Sequence, residues 1–347
     1  MLLKGFSIIV CCYNSAPLLP ATLCCLSKLK RPDAYGVEII LVDNRSTDDT
    51  AATARGLWDG FGRPFVMTVV GEPAAGLSFA RQRGIATSRY DYLLFCDDDN
   101  WLDPEYLIRA AEVLESVPMI GMLGGLGTPH YEHIPSYWPP DFYIYGSGPQ
   151  APDSGPTAKL HGAGVILAKK AFDRLRLAGF RFCLTDRKGD SLSSGGDYEL
   201  CYAVKMAGFL IWYDEKLSFS HFISADRLTR SYTRRFIRES APAVDVLDIY
   251  GYLTRQTARR PGSYTLIQCK YLLHHAKRLG RSLYLRVRFA KNEQMVFLEA
   301  FHQQYHLRRI VCILGMIVHH KKVMGAVSSL QERLSLLPPP ETPTGAS

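Results

Sequence analysis

The segment that decides the fold prediction is Tyr92-Leu93-Leu94-Phe95-Cys96-Asp97-Asp98-Asp99-Asn100-Trp101. Its apolar half predicts a buried strand, which would bring three adjacent acids to the rim of a sheet. Adjacent carboxylates repel one another, so a fold that gathers them usually offers them a hard cation such as Mg²⁺ or Mn²⁺. The alternative is a solvated acidic turn before a helix that starts at Asp103-Pro104-Glu105.

Apolar runs and helix-like stretches alternate upstream of this segment. Such alternation predicts βαβ units and a mainly parallel sheet. Ligands of parallel sheets bind at the carboxyl ends of the strands, so the residues that follow each strand should converge. The predicted strands are Phe6–Cys12, Val37–Val42, Phe65–Val70 and Tyr92–Cys96, and the predicted helices are Ala16–Lys30, Thr47–Trp58 and Leu77–Thr87.

The bulk composition indicates about two folded units in a reducing compartment. The chain has 347 residues and a net charge of +8, of which residues 226–347 contribute +12 and residues 1–225 contribute −4. This asymmetry predicts different partners for the two parts. The nine cysteines form no regular disulfide framework and no C-x-x-C motif, which disfavours a zinc ribbon.

Two apolar stretches are candidates for a targeting or a membrane segment. Phe6–Cys12 lacks a preceding basic region and a following cleavage site, so it is interpreted as a strand. The longest apolar run, Ile310–Val318, is too short to span a bilayer as a helix. We therefore expect a soluble or membrane-peripheral protein.

The second half contains one long predicted loop and one further acidic cluster. Gly124–Gly155 is rich in Gly, Pro, Tyr and Trp without periodicity, which is typical of a functional loop. A strand at Val165–Ala168 and the cluster Gly195-Gly196-Asp197-Tyr198-Glu199 follow. Arginine-rich helices are predicted after His221, and the proline-rich end is predicted to be disordered.

With these motifs in hand, the sequence resembles glycosyltransferase family 2, the inverting nucleotide-sugar enzymes with a GT-A fold. The resemblance implies an α/β, Rossmann-like mixed sheet that is mainly parallel and flanked by helices, with a C-terminal helical extension outside the match. Five segments carry it, in order and at plausible spacing: residues 7–14, 40–48, 76–84, 95–101 and 195–200.

The domain organisation follows from the extent of this resemblance. Residues 1–225 are expected to form the GT-A domain, with a nucleotide-binding half at 1–105 and an acceptor half at 106–225. Residues 226–337 would form a basic helical extension, and residues 338–347 a disordered tail.

Three residues of the first half are assigned to the nucleotide sugar by the resemblance. Tyr13 would stack on the base, Asp43 would accept the N–H of a uracil-like base, and Arg81 would approach the base or the phosphates. Their structural alternatives are a turn tyrosine, a helix cap and a solvated helix face.

The acidic triplet has two possible registers. The family pattern D-x-D-D-x-W, anchored on Trp101, matches Asp98 and Asp99 and places Cys96 at the first acid, whereas Asp97-x-Asp99 is the other D-x-D. We favour Asp99 as the ligand of Mn²⁺ or Mg²⁺, with Asp98 and, less firmly, Asp97 toward the nucleotide sugar. His221, where relatives place a histidine near the metal or diphosphate, is added as a second metal ligand; a structural role is its alternative.

Asp197 is the candidate general base. The family usually has Gly-Glu-Asp here, and Gly196 replaces the Glu. Inverting transfer needs one carboxylate to take the proton of the acceptor hydroxyl as that hydroxyl attacks the anomeric carbon. Glu199 is the rival base, or an acid in the first turn of a helix.

The basic extension predicts helices that lie on an anionic membrane, as in Lys277–Lys291. Its alternative is that the apolar faces pack on the catalytic domain. The adjacent pairs His274-His275 and His319-His320 are unsuited to chelation from one helix face and are assigned no metal.

Together, these features predict an inverting transferase that moves a sugar from a nucleoside diphosphate, UDP being favoured, to a hydroxyl of a glycan or lipid-linked acceptor. By analogy with the family, the expected setting is bacterial surface polysaccharide synthesis in the cytoplasm, at the inner face of the plasma membrane. The alternatives are a polyprenyl-phosphate sugar synthase and a non-catalytic nucleotide-sugar-binding protein. A nucleic acid partner is not expected, because no recognition motif is visible.

Overall fold

The computed structural model describes residues 3–189, 191–256 and 264–340. Its strands form one mixed sheet with the order β3-β2-β1-β4-β8-β6-β9-β5, and β7 pairs with β9. The strands are β1 Leu3–Cys12, β2 Gly36–Asp43, β3 Val66–Gly71, β4 Tyr90–Asp97, β5 Asn100–Leu102, β6 Ile120–Tyr131, β7 Gly155–Pro156, β8 Ile166–Ala168 and β9 Leu210–Ile223.

Helices cover both faces of this sheet and continue into the C-terminal region. A short 3₁₀ helix, Ala225–Leu228, follows the last strand. The helices are α1 Leu19–Ser27, α2 Thr50–Gly60, α3 Leu77–Thr87, α4 Tyr106–Ser116, α5 Lys169–Leu177, α6 Gly196–Met206, α7 Arg230–Ser240, α8 Ala243–Gln256, α9 Tyr264–Arg288 and α10 Glu293–Ser335.

The first four strands are parallel and confirm the predicted βαβ alternation. β1 pairs with β2 and β4, and β2 pairs with β3, all in parallel. Alternate residues of β1 enter different cores: Ile8 lies in the layer that contains α1, and Ile9 lies in the layer that contains Ala80 of α3. Because both faces are buried, the strands are continuous apolar runs, as expected for a parallel sheet. The mixed, mainly parallel sheet predicted from the sequence is confirmed.

The predicted loop at Gly124–Gly155 is wrong in its first part. β6 extends to Tyr131 and pairs in parallel with β9. Glycines are rare in strands, but here they permit close approach, since a Cβ on Gly125 would collide with the carbonyl oxygen of Leu217. The rest of the segment is irregular apart from β7 at its end.

The C-terminal helices pack on the catalytic domain along part of their length. Tyr250 of α8 is buried and stacks on Tyr202 of α6 with ring centroids 5.9 Å apart. Leu330 and Leu334 of α10 join the core between the sheet and α5 and α6. The alternative in which the apolar faces of the extension pack on the catalytic domain therefore holds for α8 and for the end of α10.

The residues that follow α10 also contact the catalytic domain. Pro338, the first residue of the predicted disordered tail, accepts a hydrogen bond from Arg174 through its carbonyl oxygen. The remaining part of that prediction, residues 341–347, lies outside the described residues.

Among the described residues, no single helix has both the length and the hydropathy of a membrane span. Two segments of α10 that meet at a bend of 80°, Glu293–Met316 and His320–Ser335, reach that threshold only when taken together.

Candidate active site

A cavity of about 840 Å³ lies at the carboxyl edge of the parallel strands. Residues from several distant parts of the sequence line it, because parallel strands deliver their following loops to the same edge. The lining includes most of the predicted site residues: Tyr13, Arg81, Asp97, Asp98, Asp99, Asp197 and His221.

The three acids of the triplet have different partners. Asp98 Oδ2 accepts a hydrogen bond from the hydroxyl of buried Ser15, and Phe222 donates its N–H to the Asp99 carbonyl oxygen at 2.8 Å. Burial and then Asp99 raise the pKa of Asp98, and burial also raises the pKa of Asp97 despite nearby Arg81. The triplet is therefore a crowded, desolvated set of carboxylates that favours an added cation.

Asp99 is the most strongly paired of the three. Its Oδ2 lies 2.9 Å from Arg227 Nη1 and 3.3 Å from His221 Nε2. Burial opposes ionisation, but His221 and Arg227 lower the pKa of Asp99 below its ordinary value. β5 and β9 enforce this geometry, since Asn100 pairs with His221 in the antiparallel ladder.

The predicted metal ligands fit a hard divalent cation in donor type. Asp99 Oδ2 and His221 Nε2 are neighbours, and the Asp97 carboxylate lines the same cavity. Among the described residues, His221 Nδ1 is buried without a hydrogen-bond partner. Within the same residues, no group of three or more His, Cys, Asp or Glu is already arranged as a metal site. Arg227 supplies the positive charge beside Asp99 in this arrangement.

Asp197 lies in the first turn of α6 and lines the same cavity as the triplet. Its Oδ2 accepts the N–H of Gly162 at 2.7 Å. Burial and then the charge of Asp186 raise the pKa of Asp197 to about 6, while Arg81 opposes this shift. A carboxylate whose pKa approaches neutrality suits a general base, because it is ionised at pH 7 yet retains appreciable proton affinity.

Glu199, the rival base, is held inside the fold. Its side chain is fully buried and accepts the N–H groups of Cys183 at 2.7 Å and Leu184 at 2.9 Å. Tyr250 donates its hydroxyl to the same carboxylate at 2.9 Å. With its oxygens committed to these donors, Glu199 ties α6 to the loop before it and to α8.

The structure places Tyr13 and Asp43, the two residues predicted to contact the base, differently. Tyr13 is 52% exposed at the cavity edge, so its ring has a free face. Asp43 uses Oδ1 to accept the Ser46 N–H at 2.9 Å, whereas Asn44 and Arg45 form the cavity wall at this point. The side chain of Asp43 therefore contacts a turn, where the structural alternative placed a helix cap.

Sequence reasoning missed three charged residues of the site. Asp186 and Arg187 lie in the loop before α6, where their pattern cannot be told from solvated loop charges. Arg227 was counted with the basic extension, but it pairs with Asp99. Tyr232 and Phe236 of α7 also line the cavity, so residues on both sides of the predicted boundary at 225 form the site.

Comparison with known protein families gives a match in the first half of the chain. The family model described as "Glycosyl transferase family 2" matches residues 7–175. Residues 7–175, just under half of the chain, thus form a glycosyltransferase family 2 domain, as the sequence motifs predicted.

Two relatives match shorter stretches of the chain. The succinoglycan biosynthesis protein ExoM of Rhizobium meliloti is 30% identical over 131 residues, which are 37% of this chain and 40% of that protein. An uncharacterized glycosyltransferase of Haemophilus influenzae is 31% identical over 118 residues, 34% of this chain and 37% of that protein. The matched region thus spans less than half the length of these relatives.

Solved structures show the fold. The mannosyltransferase PcManGT from Pyrobaculum calidifontis, solved with GDP-Man and Mn²⁺, aligns with a TM-score of 0.52 at 13% identity and covers 96% of this chain and 85% of that one. GalNAc-T7, solved with UDP, GalNAc and Mn²⁺, aligns with a TM-score of 0.51 at 17% identity over 76% of this chain and 53% of that one. The predicted GT-A fold is confirmed.

Proposed function

We propose that this protein transfers a sugar from a nucleoside diphosphate sugar, with inversion, to a hydroxyl group. The observation that carries the proposal is the position of Asp197, a partly buried carboxylate with a raised pKa that shares one cavity with the acidic triplet. A general base and a place for a charged leaving group are the two requirements of inverting transfer.

In this mechanism, some residues of the cavity bind the donor and another activates the acceptor. Tyr13 and Arg81 hold the nucleotide side of the donor, and Asp197 accepts the proton of the acceptor hydroxyl. That hydroxyl attacks the anomeric carbon as the bond to the diphosphate breaks. Asp99 and His221 would hold a divalent cation, which supplies Lewis-acid stabilisation of the diphosphate when bound. The carboxylate of Asp99 suits both Mn²⁺ and Mg²⁺, whereas the imidazole nitrogen of His221 suits a softer ion than Mg²⁺ and so favours Mn²⁺.

The donor is proposed to be UDP-linked, and the pathway to be assembly of a bacterial surface polysaccharide. The second point is supported by the name of the Rhizobium relative, a succinoglycan biosynthesis protein. The nine cysteines are all free thiols, which supports action on the cytoplasmic side of the membrane.

The test is acceptor-free hydrolysis of a panel of UDP- and GDP-sugars by the purified protein, with Mn²⁺, Mg²⁺ or EDTA. Hydrolysis of one donor that EDTA abolishes is expected, and it would name the sugar. Asp197→Asn should then lower transfer to a hydroxyl acceptor about a thousandfold while calorimetric UDP binding is retained. Full transfer by this variant would favour a phosphate acceptor, which needs no general base. Absence of any UDP or GDP binding with metal would refute the proposal.

A peripheral membrane contact is proposed for the exposed face of α9. Leu266 and Leu273 are each 64% exposed, and Val287 is 78% exposed. Exposed Lys270 and Lys277 lie between these apolar residues at helical spacing. A basic and apolar helix face of this kind suits the surface of an anionic bilayer.

Vesicle flotation tests this contact. The protein should float with vesicles that contain anionic phospholipid and remain behind with purely zwitterionic ones. Leu266→Glu/Leu273→Glu should lose flotation, whereas the control Leu177→Glu, at a position 72% exposed on α5, should retain it. Equal flotation of both variants would contradict the assignment of α9.

A further inference from the structure

The acid that the family motif places at position 196 is absent, and a carboxylate from another segment lies beside the gap. Gly196 is the first residue of α6. A Cβ on this glycine would lie 2.5 Å from Asp186 Oδ2 and 2.8 Å from Asp186 Oδ1. The loop before α6 thus brings a carboxylate to the place where a side chain at position 196 would begin.

Contacts from two helices hold Asp186 there. Its Oδ1 accepts the Gly196 N–H at 2.9 Å, which satisfies one of the unpaired donors at the start of α6. The carbonyl oxygen of the next residue, Arg187, accepts the N–H of Leu77 at the start of α3, at 3.0 Å. The side chain of Asp186 is only 9% exposed. Its position is therefore fixed by the fold.

Asp186 also pairs with the cation nearest the candidate base. Arg81 Nη1 lies 3.3 Å from Asp186 Oδ2, and the guanidinium packs over the Phe95 ring at 5.5 Å. A Cβ on Gly162 would lie 2.9 Å from Arg81 Nη2 and 3.3 Å from Asp197 Oδ2. Arg81 and Asp197 therefore both lie next to Gly162, and Asp186 forms an ion pair with Arg81.

We propose that Asp186 is a positioning residue that replaces the acid missing at position 196. Its carboxylate fixes Arg81 and the first turn of α6, and thereby holds Asp197 in place for proton transfer. This inference rests on the proposed role of Asp197 as the general base.

The groups that face Asp197 define what removal of Asp186 should do. They are Asp186 from the loop, Arg81 from α3, and Tyr198 and Cys201 from α6, together with the Gly162 N–H. Without the charge of Asp186, Arg81 becomes the dominant charged neighbour of Asp197. The protonation of Asp197 should then shift to lower pH.

Relocation of the carboxylate is the decisive experiment. Asp186→Asn should lower kcat about tenfold and move the acid limb of the pH–rate profile to lower pH. Asp186→Ala/Gly196→Asp, which returns a carboxylate to the motif position, should recover most of the rate lost in Asp186→Ala. Gly196→Asp alone should lose activity, because its Cβ meets Asp186. A double variant no better than Asp186→Ala, or an unchanged profile in Asp186→Asn, would overturn the proposal.

A melting-temperature cycle reports on the placement of Asp186 without any enzymatic assay. Gly196→Ala should lower the melting temperature in the wild-type background and much less in the Asp186→Ala background, where the side chain leaves room. An equal cost in both backgrounds would overturn the placement. If the wild-type protein neither binds nor hydrolyses a nucleotide sugar, the proposed function fails, whereas this cycle still decides whether Asp186 occupies the space at position 196.

Discussion

The acidic edge of the sheet and the core of the C-terminal helices both bury charge, but they do so differently. In the extension, Arg309 is 1% exposed and pairs with Asp245 at 2.6 Å and Asp248 at 2.8 Å. At the sheet edge, Asp97, Asp98 and Asp99 face an open cavity. The first cluster is closed by its own chain, whereas the second retains crowded carboxylates next to space for a ligand.

This difference separates stability from function. A buried cation between two carboxylates contributes little net stability, yet removal of the cation leaves uncompensated charge in the interior. Crowded carboxylates at a cavity cost stability in the free protein, and a bound cation relieves that cost. We therefore expect variants in the extension to affect folding, and variants at the sheet edge to affect ligand binding.

The largest expected effect on stability comes from Arg309→Ala. The variant leaves Asp245 and Asp248 without their shared cation, so the free energy of unfolding should fall by about 3–5 kcal/mol. Urea denaturation measures this change. As a control, Arg63→Ala breaks the exposed pair with Asp59, and the free energy of unfolding should hardly change, because the side chains of Arg63 and Asp59 are 69% and 55% exposed. Similar losses in both variants would contradict the contrast.

Asp99→Asn should affect ligand binding more than stability, which is the opposite of Arg309→Ala. It removes the best-placed oxygen ligand, so metal-dependent UDP binding should weaken about a hundredfold by calorimetry. The melting temperature of the free protein should fall less than in Arg309→Ala, since the variant removes an anionic partner of Arg227 but also relieves repulsion within the triplet. Asp103→Asn, at an exposed acid just beyond β5, is the matched control and should bind UDP as the wild type does. Unimpaired UDP binding by Asp99→Asn would refute the metal-ligand prediction.

The pH dependence of transfer should report Asp197. Because its pKa is raised to about 6, the carboxylate is protonated below that pH and cannot accept a proton. The rate of transfer should therefore fall about tenfold per pH unit as the pH decreases below 6. The contribution of Asp197 to stability has the opposite sign: the folded protein takes up the proton more readily than the unfolded chain, so acidification from pH 6 toward 4 favours folding at this site. A rate that is flat down to pH 5 would contradict the assignment.

The smallest expected effect is that of Tyr13→Ala. Tyr13 is half exposed, so removal of its ring should cost only stacking on the base. The KM for the donor should rise roughly three- to tenfold with kcat unchanged. Tyr13→Phe keeps the aromatic face and should behave as the wild type in the same steady-state assay. A loss of kcat in Tyr13→Ala would indicate a role beyond base stacking.

Much of the parallel half of the fold could be predicted from local pattern. Strands β1 to β4 and their helices follow from apolar runs closed by polar residues, because both faces of the sheet are buried. β6 was missed because Gly124, Gly125 and Gly127 suppress the strand signal. Their reason is tertiary, since a Cβ on Gly125 or Gly127 would meet Leu217 or Phe219 of β9, and a Cβ on Gly124 would meet Leu160.

The candidate site, like the fold, could be predicted from the sequence only in part. The structure brings Tyr13, Arg81, the triplet, Asp197 and His221 to one cavity, as the motifs predicted; their chemical roles remain predictions. Asp43 contacts a turn instead of forming the cavity wall. Asp186 and Arg227 carried no local signal, because a charged residue in a loop has the same pattern whether it is solvated or paired.

The sequence by itself determined the family, the parallel alternation and the acids at the carboxyl ends of the strands, since these depend on residue type and short-range spacing. Only the tertiary structure decided which charges meet. Arg227 pairs with Asp99 across 128 residues, and Arg81 pairs with Asp186 across 105. Such pairs depend on how loops and helices pack at one edge of the sheet, and no local pattern in the chain records that packing.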